Sequence, residues 1–328
     1  MIITRAPMRV SFFGGGTDYP EYFLKEGGAV LATAIDKFTY VTANPFPSYL
    51  FDYTIRVSYR KAESVQSVEE IEHAVFRECL RMHGIEKDIE LHTFADLPSF
   101  AGLGSSSGFT VALLQALHAY KGEYVSPLQL AYEAIYVERH ILKENVGCQD
   151  QTLAAVGGFN LLEFRKEDDI VVHRVPISHQ RLVEFEQHLV LVPTGITRRA
   201  SDVAGKQLKV LDRNKVILKE MRAMVDQGWD ILTGNRPLSE FGRLLHQAWV
   251  AKRSLEDSIS NEEIDRIYAQ GLAAGAYGGK LCGAGAGGFF LFFAPPEVRT
   301  KLGEALAPRP IVKVGINAPG SEVIFATV

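Results

Sequence analysis

Runs of β-branched and aromatic residues early in the chain predict strands at Arg9–Phe13, Ala29–Ile35, Thr39–Asn44 and Thr54–Tyr59. A helix over Val68–His83 and a strand over Ile89–Phe94 follow. From Ser105 to Tyr120 the apolar positions Phe109, Leu113, Ala116 and Tyr120 recur at helical spacing. Ser126-Pro127 sets a hydroxyl cap before a proline at the first helical position, which opens a helix to about Leu142. A shorter helix, Cys148–Val156, stops at Gly157, and strands at Gly158–Phe164 and Val171–Val175 close a first unit. Beyond the polar stretch Ser178–Gln187 comes a strand, His188–Val192. Helices are predicted over about Ala200–Trp229, Leu238–Ser254 and Asn261–Ala276, with strands at Gly288–Phe293, Ile311–Val314 and Val323–Val328. The pattern reads as α+β, in two domains at 1–183 and 184–328.

Composition narrows the class. The chain has 328 residues, of which 47% are hydrophobic, enough for a large core and against disorder. Basic and acidic residues number 35 and 39, for a net charge of −4, with no Lys/Arg run to bind nucleic acid or a membrane surface. The apolar run FFLFFAPP at 289–296 is too short to span a bilayer, and MIITRAPMRV lacks the apolar core of a signal peptide. Isolated Cys79, Cys148 and Cys282 make neither a disulfide framework nor a zinc spacing. A cytoplasmic globular protein is expected. Glycine is the informative excess, because much of it falls in three clusters.

The strongest of these is LPSFAGLGSSSG at 97–108, where Gly102, Gly104 and three serines run directly into an apolar helix. Unpaired backbone N–H groups make a helix N-terminus attract anions, and no acid between Leu97 and Gly122 satisfies this one. A phosphate site and a Ser-capped helix after a flexible loop both fit. A P-loop is excluded, since GxxxxGK[ST] is absent. GSSSG matches a hydrolase elbow centred on Ser106, but Pro98-Ser99-Phe100 interrupts the strand such a turn needs. In the second cluster, FFGGGTDYPEYF at 12–23, Asp18 either faces a ligand or caps the next helix. In the third, KLCGAGAGGFFLFF at 280–293, glycines permit close approach to a ligand or to another loop. Glu138 interrupts the apolar stripe Leu128, Ala131, Ile135, Leu142, so it needs a metal, an Arg or several donors. Asp150 lies in the first turn of its helix, where the dipole alone would favour an acid.

Taken in order, RAPMRVSFFGGGTDYP (5–20), LPSFAGLGSSSG (97–108) and KLCGAGAGGFF (280–290), together with GCQDQ at 147–151, resemble the motifs of the GHMP kinases. That resemblance implies an N-terminal domain like ribosomal protein S5 domain 2, a ferredoxin-like C-terminal domain, and ATP and Mg²⁺ as cofactors. It implies that Gly102, Leu103, Gly104, Ser105, Ser106 and Ser107 cradle ATP phosphates and that Ser106 and Glu138 hold Mg²⁺. Asp150 would be the acid at the reacting hydroxyl, with Arg9 its cationic neighbour. Gly15, Gly16, Thr17 and Asp18 would bind substrate, and Gly283, Gly285 and Gly287 would support the nucleotide loop. Galactokinases carry Gly-Glu-His where this chain has Gly14-Gly15-Gly16. The triplet, GAVLATAIDK at 28–37 and TGITRRAS at 194–201 are most similar to the heptose 7-phosphate kinase branch. An anomeric kinase of a sugar phosphate in surface-polysaccharide synthesis is therefore expected. Arg198 is the candidate for gripping the existing phosphate, with Arg60 and Lys61 behind it. A kinase of an unphosphorylated sugar and a non-catalytic binding protein are the alternatives, and a homodimer is left open.

Overall fold

A computed structural model describes residues 1–98, 101–196, 205, 211, 213–234 and 236–327. The N-terminal sheet is built on two long strands, β1 (Ile2–Phe13) and β2 (Gly28–Pro45), paired antiparallel along almost their whole length. The two strands expected at Ala29–Ile35 and Thr39–Asn44 are thus one. Asp36 and Lys37 only bend it, and the register against β1 slips between Pro7 and Arg9. Between β1 and β2, Pro20–Glu26 forms α1. β1 takes one edge of β2; on the other edge β5 (Ile89–Ala95) pairs with its C-terminal half and leads on to β3 (Ile55–Ser58) and β4 (Ala62–Val65), while β6 (Phe159–Lys166) pairs with its N-terminal half and leads on to β7 (Asp169–Arg174).

The helix expected over Val68–His83 is shorter, a 3₁₀ turn at Val68–Glu70 and then α2 (Ala74–Met82). Glu63 accounts for the break, because its carboxylate accepts the backbone N–H groups of Glu72 and His73. α3 (Ser105–Tyr120) and α4 (Pro127–Ile135) match their predicted spans at the N-terminus, and Ser126 caps α4 by accepting from the Gln129 N–H. α4 gives way to a π turn at Tyr136–Ile141, and α5 follows at Gln149–Val156. One side of α3 packs with α2 and α4 in an apolar cluster that includes Phe76, Leu80, Val111, Leu114, Leu117 and Leu130.

The polar stretch Ser178–Gln187 is a helix, α6 (His179–Gln187), capped by Ser178, and the expected boundary at 183 falls inside it. The second sheet is antiparallel in the order β8 (Leu189–Pro193), β10 (Phe289–Phe293), β9 (Gly278–Leu281). Its helices are α7 (Lys215–Thr233), α8 (Leu238–Arg253), α9 (Glu262–Ala273) and α10 (Arg299–Ala305). Most of the segment expected to begin a helix at Ala200 lies outside the described residues. Ile311–Val314 forms no strand, only a single bridge from Val312 to Leu191. The last strand, β11 (Glu322–Ala326), does not complete the second sheet as expected. It returns to pair with β1, where Glu322 meets Arg5. Phe12, Phe159, Phe185, Phe241 and Phe293 stack into one aromatic core shared by both sheets, with centroids 4.8–5.6 Å apart. That core holds the second unit against β1, and the cleft opens where they meet.

Candidate functional site

A cleft of about 550 Å³ is lined by all three glycine segments, by the π turn and by the N-terminus of α5. Glycine makes the junction possible. Gly102 and Gly283 are both left-handed, at φ 72°, and a Cβ on Gly102 would lie 2.6 Å from the Cys282 carbonyl oxygen. The loop is also tied to β1 and β10, since Arg9 N–H donates to the Leu103 carbonyl and Phe289 N–H to the Ala101 carbonyl. Of the glycines expected to support this loop, Gly283 packs directly on Gly102. Gly285 packs on Ile259 and Gly287 on Ile196, while Gly288 presses against Ala101.

Arg9 sits on β1 and is only 4% exposed. Its guanidinium is bidentate on Asp150, with Nε to Oδ1 at 2.7 Å and Nη2 to Oδ2 at 2.6 Å, and Nη1 donates to the Gly102 carbonyl at 2.8 Å. Burial works against its charge, but the Asp150 carboxylate outweighs this and raises the Arg9 pKa. One salt bridge therefore fixes an acid from the first turn of α5 beside the loop that opens α3. Asp18 is buried too. Its oxygens accept N–H groups from Gly16 at 3.0 Å and Gln149 at 3.2 Å, so it caps α5 rather than α1. Burial, and then the charge of Asp150, push its carboxyl above the usual range.

The π turn carries Glu138, at 2% exposure. Ser107 and Gln151 both donate to its Oε2, at 2.9 Å and 2.5 Å, while Oε1 is buried with no hydrogen-bond partner among the described residues. Burial pushes its pKa up to about 7. Helix phase turns Ser107 inward to bond Glu138, while Ser106 stays exposed on the cleft wall. The expected role of Thr17 is corrected. Its hydroxyl is fully buried, within bonding distance of the Gly14 and Ala29 carbonyls, and pins the Gly14–Gly16 turn to β2 instead of facing the cleft. Gly15 and Gly16 do line the cleft. Arg198 lies outside the described residues. Arg60 and Lys61 are exposed at the β3–β4 turn, with Lys61 paired to Glu72, and neither lines the cleft.

Two further cations line it that the motifs do not single out. Lys252, from the last turn of α8, and Lys280, from β9, are 7% and 4% exposed. Lys252 Nζ donates to the Leu281 and Gly283 carbonyls, and Lys280 Nζ donates to the Phe12 carbonyl at 3.0 Å. Lys252 had a signal in the sequence, since it interrupts the apolar face Phe241, Leu245, Trp249. Chemically the cleft combines an acid-free helix N-terminus, an oxygen-rich carboxylate–hydroxyl pair, and an Arg-held carboxylate.

That combination on this fold defines a kinase of the GHMP class. Residues 68–158 match the GHMP kinases N terminal domain and residues 232–309 the GHMP kinases C terminal family, and the chain belongs to this family. It is 33% identical over 321 residues to the D-glycero-alpha-D-manno-heptose 7-phosphate kinase of Campylobacter jejuni, covering 93% of each chain. It is 26% identical to the bifunctional fucokinase/GDP-fucose pyrophosphorylase of Arabidopsis thaliana, over 90% of this chain and 30% of that protein. The crystal structure of a D-glycero-D-manno-heptose 1-phosphate kinase from Bacteriodes thetaiotaomicron superposes over 100% of both chains with a TM-score of 0.82. At 22% identity that is a likeness of fold. Among the described residues no helix is long and apolar enough to cross a membrane.

Proposed function

We propose that this chain is a cytoplasmic ATP-dependent kinase that phosphorylates the anomeric hydroxyl of D-glycero-D-manno-heptose 7-phosphate. Its product, the 1,7-bisphosphate, would feed heptose precursors of bacterial surface polysaccharide. The observation that carries the reading is the bidentate Arg9–Asp150 pair set beside the acid-free N-terminus of α3. The similarity to the Campylobacter jejuni heptose 7-phosphate kinase supports the choice of sugar.

Backbone N–H groups from Gly102 to Ser107 bind the triphosphate, because a helix N-terminus without an acid favours anions. Glu138, with its spare buried oxygen, and Ser106 on the facing wall offer the hard oxygen donors that suit Mg²⁺. Bound there, Mg²⁺ would neutralise phosphate charge. Asp150 faces the anomeric hydroxyl and takes or orients its proton, and Arg9 holds that carboxylate in place. Asp18, Gly15 and Gly16 contact the sugar. Phosphoryl transfer needs chiefly positioning and charge neutralisation, and this set supplies both without a covalent intermediate.

The test is a coupled ADP-release assay with Mg·ATP over heptose 7-phosphate, mannose, galactose, fucose and a no-sugar blank, with phosphorus NMR of the product. Turnover confined to heptose 7-phosphate, with a new anomeric phosphate resonance, supports the reading. Turnover on a neutral sugar alone keeps the kinase and discards the heptose, and ATP binding without turnover anywhere discards both.

A further inference from the structure

We propose that Lys252 and Lys280 form a second anion site in the cleft, built for a phosphate monoester. An ammonium has three N–H donors. Those of Lys280 reach one carbonyl, that of Phe12, and those of Lys252 reach two, of Leu281 and Gly283. Each side chain therefore keeps at least one donor unused while lying nine-tenths buried against the cleft. Among the described residues neither forms a salt bridge. Of the acids lining the cleft, Asp150 has both oxygens on Arg9, and Asp18 has its oxygens on backbone N–H groups. Glu138 is bonded by Ser107 and Gln151, and burial pushes both its carboxyl and that of Glu144 toward the neutral form.

Buried charges are normally paired, because desolvation is costly. Two like charges kept together in one wall, with their stems anchored on carbonyls, make a site that lacks only its anion. Burial, reinforced by Lys280, pushes Lys252 down to about 7, and burial pushes Lys280 down to about 8. An arriving dianion would restore both charges. The anchors also locate the site. Lys280 bonds the carbonyl of Phe12, just before the Gly14–Gly16 turn, and Lys252 bonds that of Gly283, which packs on Gly102. The pair thus bridges the sugar end and the nucleotide end of the cleft. A dianion can come from either end: the phosphate already on the sugar, or the terminal phosphate of ATP. The first source rests on the heptose 7-phosphate reading above, and the existence of the site does not.

Lys252→Met and Lys280→Met remove the charge and keep an unbranched apolar side chain. In the ADP-release assay each variant should raise the KM for heptose 7-phosphate at least tenfold, with the KM for ATP within twofold. The converse, weaker binding of a non-hydrolysable ATP analogue with the sugar KM unchanged, also supports the site and assigns its dianion to the nucleotide. No change in either overturns the proposal. A second readout needs no turnover: the rise in thermal midpoint on adding inorganic phosphate. Each Met variant should lose at least half of the wild-type rise, and Lys252→Arg should retain it. Equal rises in all proteins overturn the site whatever the substrate is. If the rise is lost in the Met variants and the wild type ignores heptose 7-phosphate, the anion site stands and the sugar assignment falls.

Discussion

Glu138 predicts an unusual exchange of stability for function. Its carboxyl titrates near an ordinary 4.5 when the chain is unfolded and at about 7 in the folded protein, because burial disfavours the charged form. At 1.36 kcal/mol per tenfold in proton affinity, that gap costs the folded state about 3 kcal/mol once the pH exceeds 7. The direction follows from proton counting. Between about 4.5 and 7 the folded chain binds more protons than the unfolded one, so stability falls as pH rises through that window and is unaffected by Glu138 below it. Glu138→Gln removes the titration. The amide oxygen still accepts from Ser107 and Gln151, but the amide N–H₂ takes the place of the unpartnered Oε1, which costs about 1 kcal/mol. The net gain at pH 8 is about 2 kcal/mol. At about 2 °C per kcal/mol for a large chain, the thermal midpoint should rise by about 4 °C. Below pH 4.5 the gain should vanish or reverse slightly. The same variant should lose at least 100-fold in turnover, and Mg²⁺, which should stabilise the wild type at pH 8, should no longer shift its midpoint. Calorimetry at pH 8 and pH 4.5, with and without Mg²⁺, reads all of this. A variant no more stable than wild type at pH 8, or equally stabilised at both pH values, would refute the argument that an uncompensated buried charge is held there.

Asp150→Asn leaves the buried Arg9 guanidinium without its counter-charge; a loss of about 3 kcal/mol in denaturant unfolding is expected, with turnover down at least 1,000-fold and ATP affinity within threefold. Near-normal turnover would remove Asp150 from the chemistry. Gly102→Ala forces a side chain into the left-handed region and places a Cβ 2.6 Å from the Cys282 carbonyl, so the KM for ATP should rise at least tenfold. Unchanged nucleotide binding would show that the loop does not meet the triphosphate. Thr17→Val removes a buried hydroxyl that ties the Gly14–Gly16 turn to β2, and equilibrium unfolding should show a loss of about 1–3 kcal/mol. The KM for the sugar should stay within threefold, and a larger change at unaltered stability would return Thr17 to the substrate.

The contrast between Glu138 and Lys252 shows what a sequence can and cannot disclose here. Both are charges on an otherwise apolar helical stripe, and in both cases the stripe correctly signals burial, because a buried helix face tolerates a charge only where something answers it. The pattern cannot name the answering group, since Ser107 and Gln151 reach Glu138 from other helices and the Lys252 partners are carbonyls of a strand and a loop some thirty residues on. The π turn adds a local obstacle. An extra residue per turn re-aims Glu138, and no 3.6-residue count anticipates it. In Ser105-Ser106-Ser107 composition marks the loop but not the phase, and about 100° of rotation separates the buried hydroxyl that bonds Glu138 from its exposed neighbour on Ser106. Thr17 fails for a related reason: a hydroxyl in a glycine turn has the same local signature whether it points at a ligand or back at the sheet. The missed placement of β11 is the same lesson at larger scale. Its run of β-branched and aromatic residues marks a strand, yet the choice of β1 as partner is made across 317 positions by contacts such as Arg5 with Glu322, which no window along the chain contains. What is legible is therefore whatever is set by a residue's own backbone and near neighbours: the glycine loops, the acid-free start of α3, the buried charges. What is not legible is which of those features face one another, and in this cleft that facing decides which residues form the site.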